Sequence, residues 1–282
     1  KIRIDTIPKL CYTIHEIGEG TTPQTKGVIF LGHVIVLDTE TTGLDKCFCY
    51  DCSWVVMSKE TGAIVDFKNN VVEQVWHNLP LFESAYYKEK RQKYVDMMRK
   101  HDAEMNKWGY IMQKLRRDII KYDVTEVYAY NSDFDDKVIA YNCDWFKCIN
   151  PLETIMVYDI WGYASWYIIN GFDYKKFCED NERFTDTGNY KGSAEVVYQF
   201  MTNNPDFEEE HMGLFDSEIE ATILWECIKR GAEWAKPYKP VKILPRPILH
   251  PFSIKVDGTE VYSGEYLKKY VRNDVYNFRS TI

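Results

Sequence analysis

No apolar run in this 282-residue chain is long enough to cross a bilayer; the longest, GVIFLGHVIVL from Gly27 to Leu37, is half of the roughly 20 residues a spanning helix needs. The N-terminus carries no signal-like apolar block. The chain starts at Lys1 rather than Met, which leaves a trimmed targeting segment as the lesser reading. A soluble, cytoplasmic protein without membrane contact is expected. Cysteine is sparse too: eight residues, at positions 11, 47, 49, 52, 143, 148, 178 and 227, are too few for a disulfide scaffold in so long a chain and fit a reducing compartment. Only Cys47, Cys49 and Cys52 come near zinc-ligand spacing, and Cys143 with Cys148 could complete a set. The paired C-x-x-C signature is missing, so buried thiols are the plainer reading and a zinc-binding interaction module the rarer one. No internal repeat is present, which excludes solenoids and propellers. What remains, at 45% hydrophobic and 28% charged residues, is the composition of one large globular domain or two small ones, neither disordered nor fibrous.

Charge is distributed unevenly. Lys88 to Lys121 carries eleven basic and five acidic residues, and Lys236 to Ile282 nine and four, so that the rest of the chain holds the whole of the acidic excess behind a net charge of -8. Two basic segments around an acidic middle suit a site that gathers carboxylates and surrounds them with cations. Ordinary solvated surface is the competing reading.

Residues 1–26 end in the polar loop GEGTTPQTKG and read as an N-terminal arm. VIVLDTE, from Val34 to Glu40, is the first strong strand, and SWVVMS and AIVDF around the turn KETG form a hairpin of two more. From Ser84 to Tyr122 the pattern turns helical, with Tyr94, Met97, Met98, Trp108, Ile111, Met112, Leu115 and Ile119 at steps of three and four. The Trp108 to Ile119 stripe reads as core before it reads as a base-stacking platform. VTEVYAY is a fourth strand, with a helix beginning near Phe134, and Asp216 to Arg230 is an amphipathic helix that Gly231 would cap. KPYKPVKILPRPILHP holds five of the ten prolines and marks an edge or an extended arm. SIKVDGTEVYS after it reads as a hairpin turning at Asp257-Gly258, followed by a short basic helix near Leu267 to Arg272. The expected architecture is α/β with one mixed sheet: an arm over 1–26, a domain over 27–235, and a Pro-rich linker with a small basic extension over 236–282.

Asp38 and Glu40 close the first strand two residues apart, so both carboxylates leave one face and Thr39 the other. Thr41, Thr42 and Gly43 follow, small enough to let a ligand approach the backbone. The fourth strand runs into AYNSDFDD, which puts Asp135 at a strand-to-helix junction where a helix N-cap is the plain alternative. In EEEHMGLFDSEIEATIL, His211 precedes a helix and Asp216 lies in its first turn, where an acid also satisfies the helix dipole. Each has a structural explanation alone; together, in this order and on these elements, they are hard to obtain by accident.

At these residues the sequence resembles the DEDDh 3'-to-5' exonuclease superfamily, which includes proofreading subunits of bacterial DNA polymerases and has an RNase H-like fold. VIVLDTETTGL is similar to its first motif, AYNSDFDDKVI to its second and HMGLFDSEIEATIL to its third. Gly213 stands where the family usually has Ala, a departure read as size-preserving. SAYY and the stretch from Ser193 to His211 look like bacteriophage-encoded members, which would act in a bacterial host's cytoplasm in DNA replication and repair.

The resemblance implies an RNase H-like mixed five-stranded sheet flanked by helices. It also implies an enzyme that removes nucleoside monophosphates from single-stranded 3' ends, DNA favoured over RNA. Two divalent cations, Mg or Mn, would be held by Asp38, Glu40, Asp135 and Asp216, with His211 as general base and Thr41 and Leu44 against the terminal nucleotide. Oxygen donors are what such cations prefer, and four converging acids without them would repel one another and titrate upward. Activity should fall as pH drops through the imidazole range near about 6.5. The basic segments would follow the phosphates of the incoming strand. NLPLF, from Asn78 to Phe82, is similar to peptides that dock on sliding clamps, but Leu79 and Phe82 could equally staple the start of a helix. Two further readings stand: an RNA exonuclease with the same site, and a nucleic-acid-binding scaffold without catalysis.

Overall fold

The computed structural model describes residues 32–244, 249–256 and 259–267. The N-terminal arm, the Asp257-Gly258 turn and the basic helix expected after Leu267 lie outside them.

β1 (His33–Thr41) lies in the interior of the sheet. β2 (Cys49–Ser58) pairs with it antiparallel, and β3 (Ile64–Lys68) returns antiparallel to β2 as the hairpin pattern predicts. β4 (Asn70–Val72) and β5 (Glu104–Asn106) extend the same side, β4 meeting β2 where Asp51 faces Val71. On the other side of β1 lie β6 (Glu126–Ala129) and β7 (Met156–Asp159), both parallel to it. The strands β3-β2-β1-β6-β7 make the expected core of five in a mixed α/β sheet. The short β4 and β5 bring the total to seven. Parallel neighbours matter for function, because ligands in such sheets bind beyond the carboxyl ends of the strands.

Strand alternation sorts β1 between two cores. Ile35 and Leu37 face one side with Trp54 and Val56, covered by α1 (Glu73–Trp76), α2 (Leu79–Phe82), α3 (Arg91–Lys100), α4 (Trp108–Lys121) and α5 (Ser132–Trp145). Val34 and Val36 face the other with Val55 and Met57, under α6 (Ile160–Ala164), α7 (Phe172–Asp180), α8 (Ala194–Thr202) and α9 (Gly213–Lys229). β2 is buried from Cys49 to Met57, which is why its sequence shows a continuous apolar run with little alternation. The long helical pattern after Ser84 is two helices, α3 and α4, broken by β5; Trp108, Ile111, Met112 and Leu115 are buried, as a core stripe requires.

Cys47, Cys49, Cys52 and Cys143 lie in the first core. Burial pushes the Cys49 and Cys143 thiols up, and among the described residues the cysteines form no group whose ligand atoms converge as a metal site requires. NLPLF folds as α2 behind its cap Asn78, whose side chain accepts from Leu81 N at 3.3 Å. Phe82 is fully buried with its ring 5.1 Å from both Tyr50 and Trp76, so the aromatic a clamp would take is part of the core. Leu79 remains half exposed.

The Pro-rich stretch begins by lying along the α6 side. Lys236 N donates to Tyr163 Oη, Trp166 Nε1 to Lys239 O, and Tyr190 N to Ile243 O. Further on, β8 (Leu249–Val256) and β9 (Thr259–Leu267) pair as the antiparallel hairpin expected there. Among the described residues no helix is long and apolar enough to cross a membrane.

Candidate active site

Three chain segments meet beyond the carboxyl ends of β1 and β6, around a cavity of about 500 Å3. Asp38 and Glu40 reach it from β1, on the face that α9 covers. Asp135 reaches it from the first turn of α5, after a tight passage from β6 through Asn131, which is left-handed at φ 62°. Asp216 comes from the first turn of α9 and His211 from the loop just before it. All five expected catalytic residues line this one cavity.

Thr39 leaves the opposite face of β1 and holds Asp135: its backbone N–H and its hydroxyl donate to Asp135 Oδ1 at 3.0 and 2.7 Å. The first and second motifs are thereby joined directly. Ligand atoms of Glu40, His211 and Asp216 lie within 4.8 Å of one another, a grouping that could hold a metal ion. Tyr50 Oη donates to Glu40 Oε2 at 3.4 Å. Asp38 Oδ2 and Asp216 Oδ1 are buried and have no hydrogen-bond partner among the described residues. Buried carboxylate oxygens are seldom left this way, so the donor set fits hard divalent cations.

Burial, reinforced by the neighbouring acids, pushes the whole cluster upward. Glu40 rises to about 10, Asp216 to about 8 and Asp135 to about 7, the last against the two Thr39 hydrogen bonds that favour its ionised form. Asp38 rises well above the usual carboxylate range, with Glu220 the largest of the charges acting on it. His211 moves the other way: burial, then the Lys90 charge, lowers it below its ordinary value. At neutral pH the imidazole is therefore uncharged and able to take a proton.

Thr41 and Leu44 do not line the cavity. Thr41 Oγ1 donates to Gly43 O at 2.6 Å, closing the turn after β1, and Leu44 is 89% exposed on that turn.

Four contributors lie outside the set of site residues expected from the sequence. Glu220, one turn beyond Asp216, is buried against the cavity and accepts from Tyr130 N at 3.1 Å. Its i+4 spacing from Asp216 is the one clue that could have found it. Glu209 lies 3.8 Å from His211 Nδ1. Tyr87 stacks on the His211 ring. Asp51, fully buried on β2, accepts from Ser53 Oγ, from Tyr94 Oη at 2.7 Å and from Gly213 N at 2.9 Å. A methyl on Gly213 would lie 2.7 Å from Asp51 Oδ1, so glycine here does not stand in for alanine at equal size, and the expectation of a size-preserving change is corrected.

No family model matches this sequence, and no curated protein matches it. Solved structures do. The nuclease domain of 3'hExo, a DEDDh family member bound to rAMP, aligns at 12% identity and a TM-score of 0.42 over 71% of this chain and 93% of its own. E. coli Exonuclease I in complex with a dA16 oligonucleotide aligns at 14% and 0.44, over 70% of this chain and 41% of its own. Apo Exonuclease I gives 12% and 0.47, over 70% and 42%. This chain thus spans about two fifths of the length of the Exonuclease I chains. At these scores the likeness assigns no residue a role.

Proposed function

We propose that this protein is a metal-dependent 3'-to-5' exonuclease that releases nucleoside monophosphates from single-stranded DNA ends. The observation that carries the reading is the meeting of three distant motifs at one cavity, with two buried carboxylate oxygens there left without partners.

Asp38, Glu40, Asp135 and Asp216 are the residues that would hold two divalent cations, magnesium or manganese. Bound there, the cations would neutralise phosphate charge and lower the pKa of water. His211, uncharged at neutral pH, is the group proposed to accept the proton of the attacking water. The Thr39 hydrogen bonds keep Asp135 at a fixed distance from β1, which supports a preorganised cluster over one assembled by substrate. Tyr130, Phe134 and Trp161 offer rings to a base and Lys191 a cation to a phosphate along the cavity wall. Leu44 is proposed to contact the terminal nucleotide from the exposed turn after β1, and Thr41 to hold that turn.

The test is digestion of 3'-labelled and 5'-labelled single-stranded DNA and RNA of matched sequence with magnesium, manganese or EDTA, beside Glu40→Ala. Stepwise loss from the 3' end of DNA, absent in EDTA and in the variant, is the expected result. Faster loss from RNA would move the substrate to RNA. Binding without cleavage in either metal would replace the enzyme by a nucleic-acid-binding scaffold.

A further inference from the structure

His211 is in an unusual conformation for a non-glycine residue, left-handed at φ 48°. Such backbone costs energy and persists only where its surroundings hold it. The surroundings come from a segment that none of the three motifs includes. The Tyr87 ring lies parallel to the imidazole, with centroids 4.3 Å apart and planes at 13°. Lys90 Nζ sits 4.5 Å from the centre of the Tyr87 ring and donates to Glu210 O, while Lys93 pairs with the Glu210 carboxylate. Residues 87–93 therefore grip the ring of His211 and the backbone just before it.

Beyond the Lys90 contact and the backbone cap of the turn that follows it, the Tyr87 side chain has little structural duty among the described residues. It belongs to neither hydrophobic core, and its other ring neighbour is Tyr86, which is itself exposed. Its place on the cavity wall beside His211 is what its position accomplishes. An imidazole on a loop can rotate about two side-chain torsions, and a parallel ring against its face removes most of that freedom.

We propose that Tyr87 is a positioning residue for His211: it fixes the plane of the imidazole so that the ring stays directed at Glu40 and Asp216, while Lys90 and Lys93 hold the backbone beneath it. The proposal rests on the reading of His211 as general base. Tyr87 acts through His211 and forms no bond to the reacting atoms.

The experiment measures kcat and KM on 3'-labelled single-stranded DNA with magnesium for Tyr87→Ala, Tyr87→Phe, His211→Ala and the Tyr87→Ala/His211→Ala pair. Misplacing a catalytic group by about 1 Å costs on the order of 100-fold. Tyr87→Ala is therefore expected to lower kcat by about 10- to 100-fold with little change in KM and an unchanged melting temperature. Tyr87→Phe, which keeps the ring, should restore kcat. In the His211→Ala background the Tyr87→Ala change should add less than about twofold, because residues acting as a unit are not additive. Wild-type kcat in Tyr87→Ala, a loss confined to KM, or a full additional loss in the double variant would each overturn the proposal. Wild-type turnover by His211→Ala would instead remove the general base itself and this inference with it.

Discussion

Gly213 and Asp51 are matched to each other: the glycine N–H donates to the Asp51 carboxylate at 2.9 Å, and a methyl at position 213 would approach that carboxylate to 2.7 Å. The contact ties the start of α9 to β2, between His211 and Asp216. Gly213→Ala is expected to destabilise by about 1 to 3 kcal/mol through overpacking and to lower turnover by displacing His211 and Asp216, the two proposed catalytic residues that flank it. In Asp51→Ala/Gly213→Ala the clash is gone, so the double variant should lose less than the sum of the singles. Melting temperatures and initial rates for the four proteins check this; strictly additive losses would mean that the two residues are not coupled.

Asp38→Ala removes an acid whose ionisation the folded protein disfavours, through burial first and then through Glu220, Asp135 and Asp216. Turnover should fall to background while the metal-free protein melts at or above the wild-type temperature. A large drop in melting temperature would make Asp38 a structural residue, and surviving activity would place the active site elsewhere.

The same repulsion predicts how stability depends on pH. In the fold Asp135, Asp216 and Glu40 sit at about 7, 8 and 10 against ordinary values of 3.8 for Asp and 4.5 for Glu. Between those limits the native state binds more protons than the unfolded chain, so stability falls as pH rises. In EDTA the melting temperature should decline from about pH 5 to pH 9. Magnesium or manganese should reverse the decline, most strongly at the alkaline end, where it competes least with protons. A melting temperature indifferent to both would mean that the acids do not form a coupled cation site.

What the sequence showed and what it hid follow from the range of the interactions. Asp38 and Glu40 were legible because strand alternation is local, and Asp135 and Asp216 because each follows a recognisable start of a helix. Asp51 was not, since a buried acid within CYDCSWVVM has partners in α3 and α9 that are distant in sequence and leave no mark on spacing. β4 and β5, three residues each, are too short to show a period. The region from β7 to α8 was unread because its helices are short and broken by a π turn at Ser165–Ile169, which blurs the helical repeat. The Pro-rich stretch was legible as irregular backbone, but its lie along α6 depends on tertiary hydrogen bonds.

As the proposed general base, His211 should set the acid side of the activity profile. Burial and the Lys90 charge lower its pKa, so the fall in kcat/KM should come below the ordinary 6.5 of imidazole instead of at it. Lys90→Met removes the second cause and should move the acid limb upward. A flat profile would remove His211 as the base.

Leu44 offers the cleanest separation of binding from folding. At 89% exposed it contributes nothing to the core, so Leu44→Ala should leave the melting temperature unchanged. If a terminal nucleotide covers it, the alanine variant forfeits roughly 1.5 kcal/mol of apolar burial, which is about tenfold in KM. The loss should appear in KM with kcat intact, because contact with the bound nucleotide is made equally in the ground state and the transition state. An unchanged KM would mean that the nucleotide stays within the cavity, where Tyr130, Phe134 and Trp161 are the rings in reach, and alanine variants of those residues would then carry the KM effect.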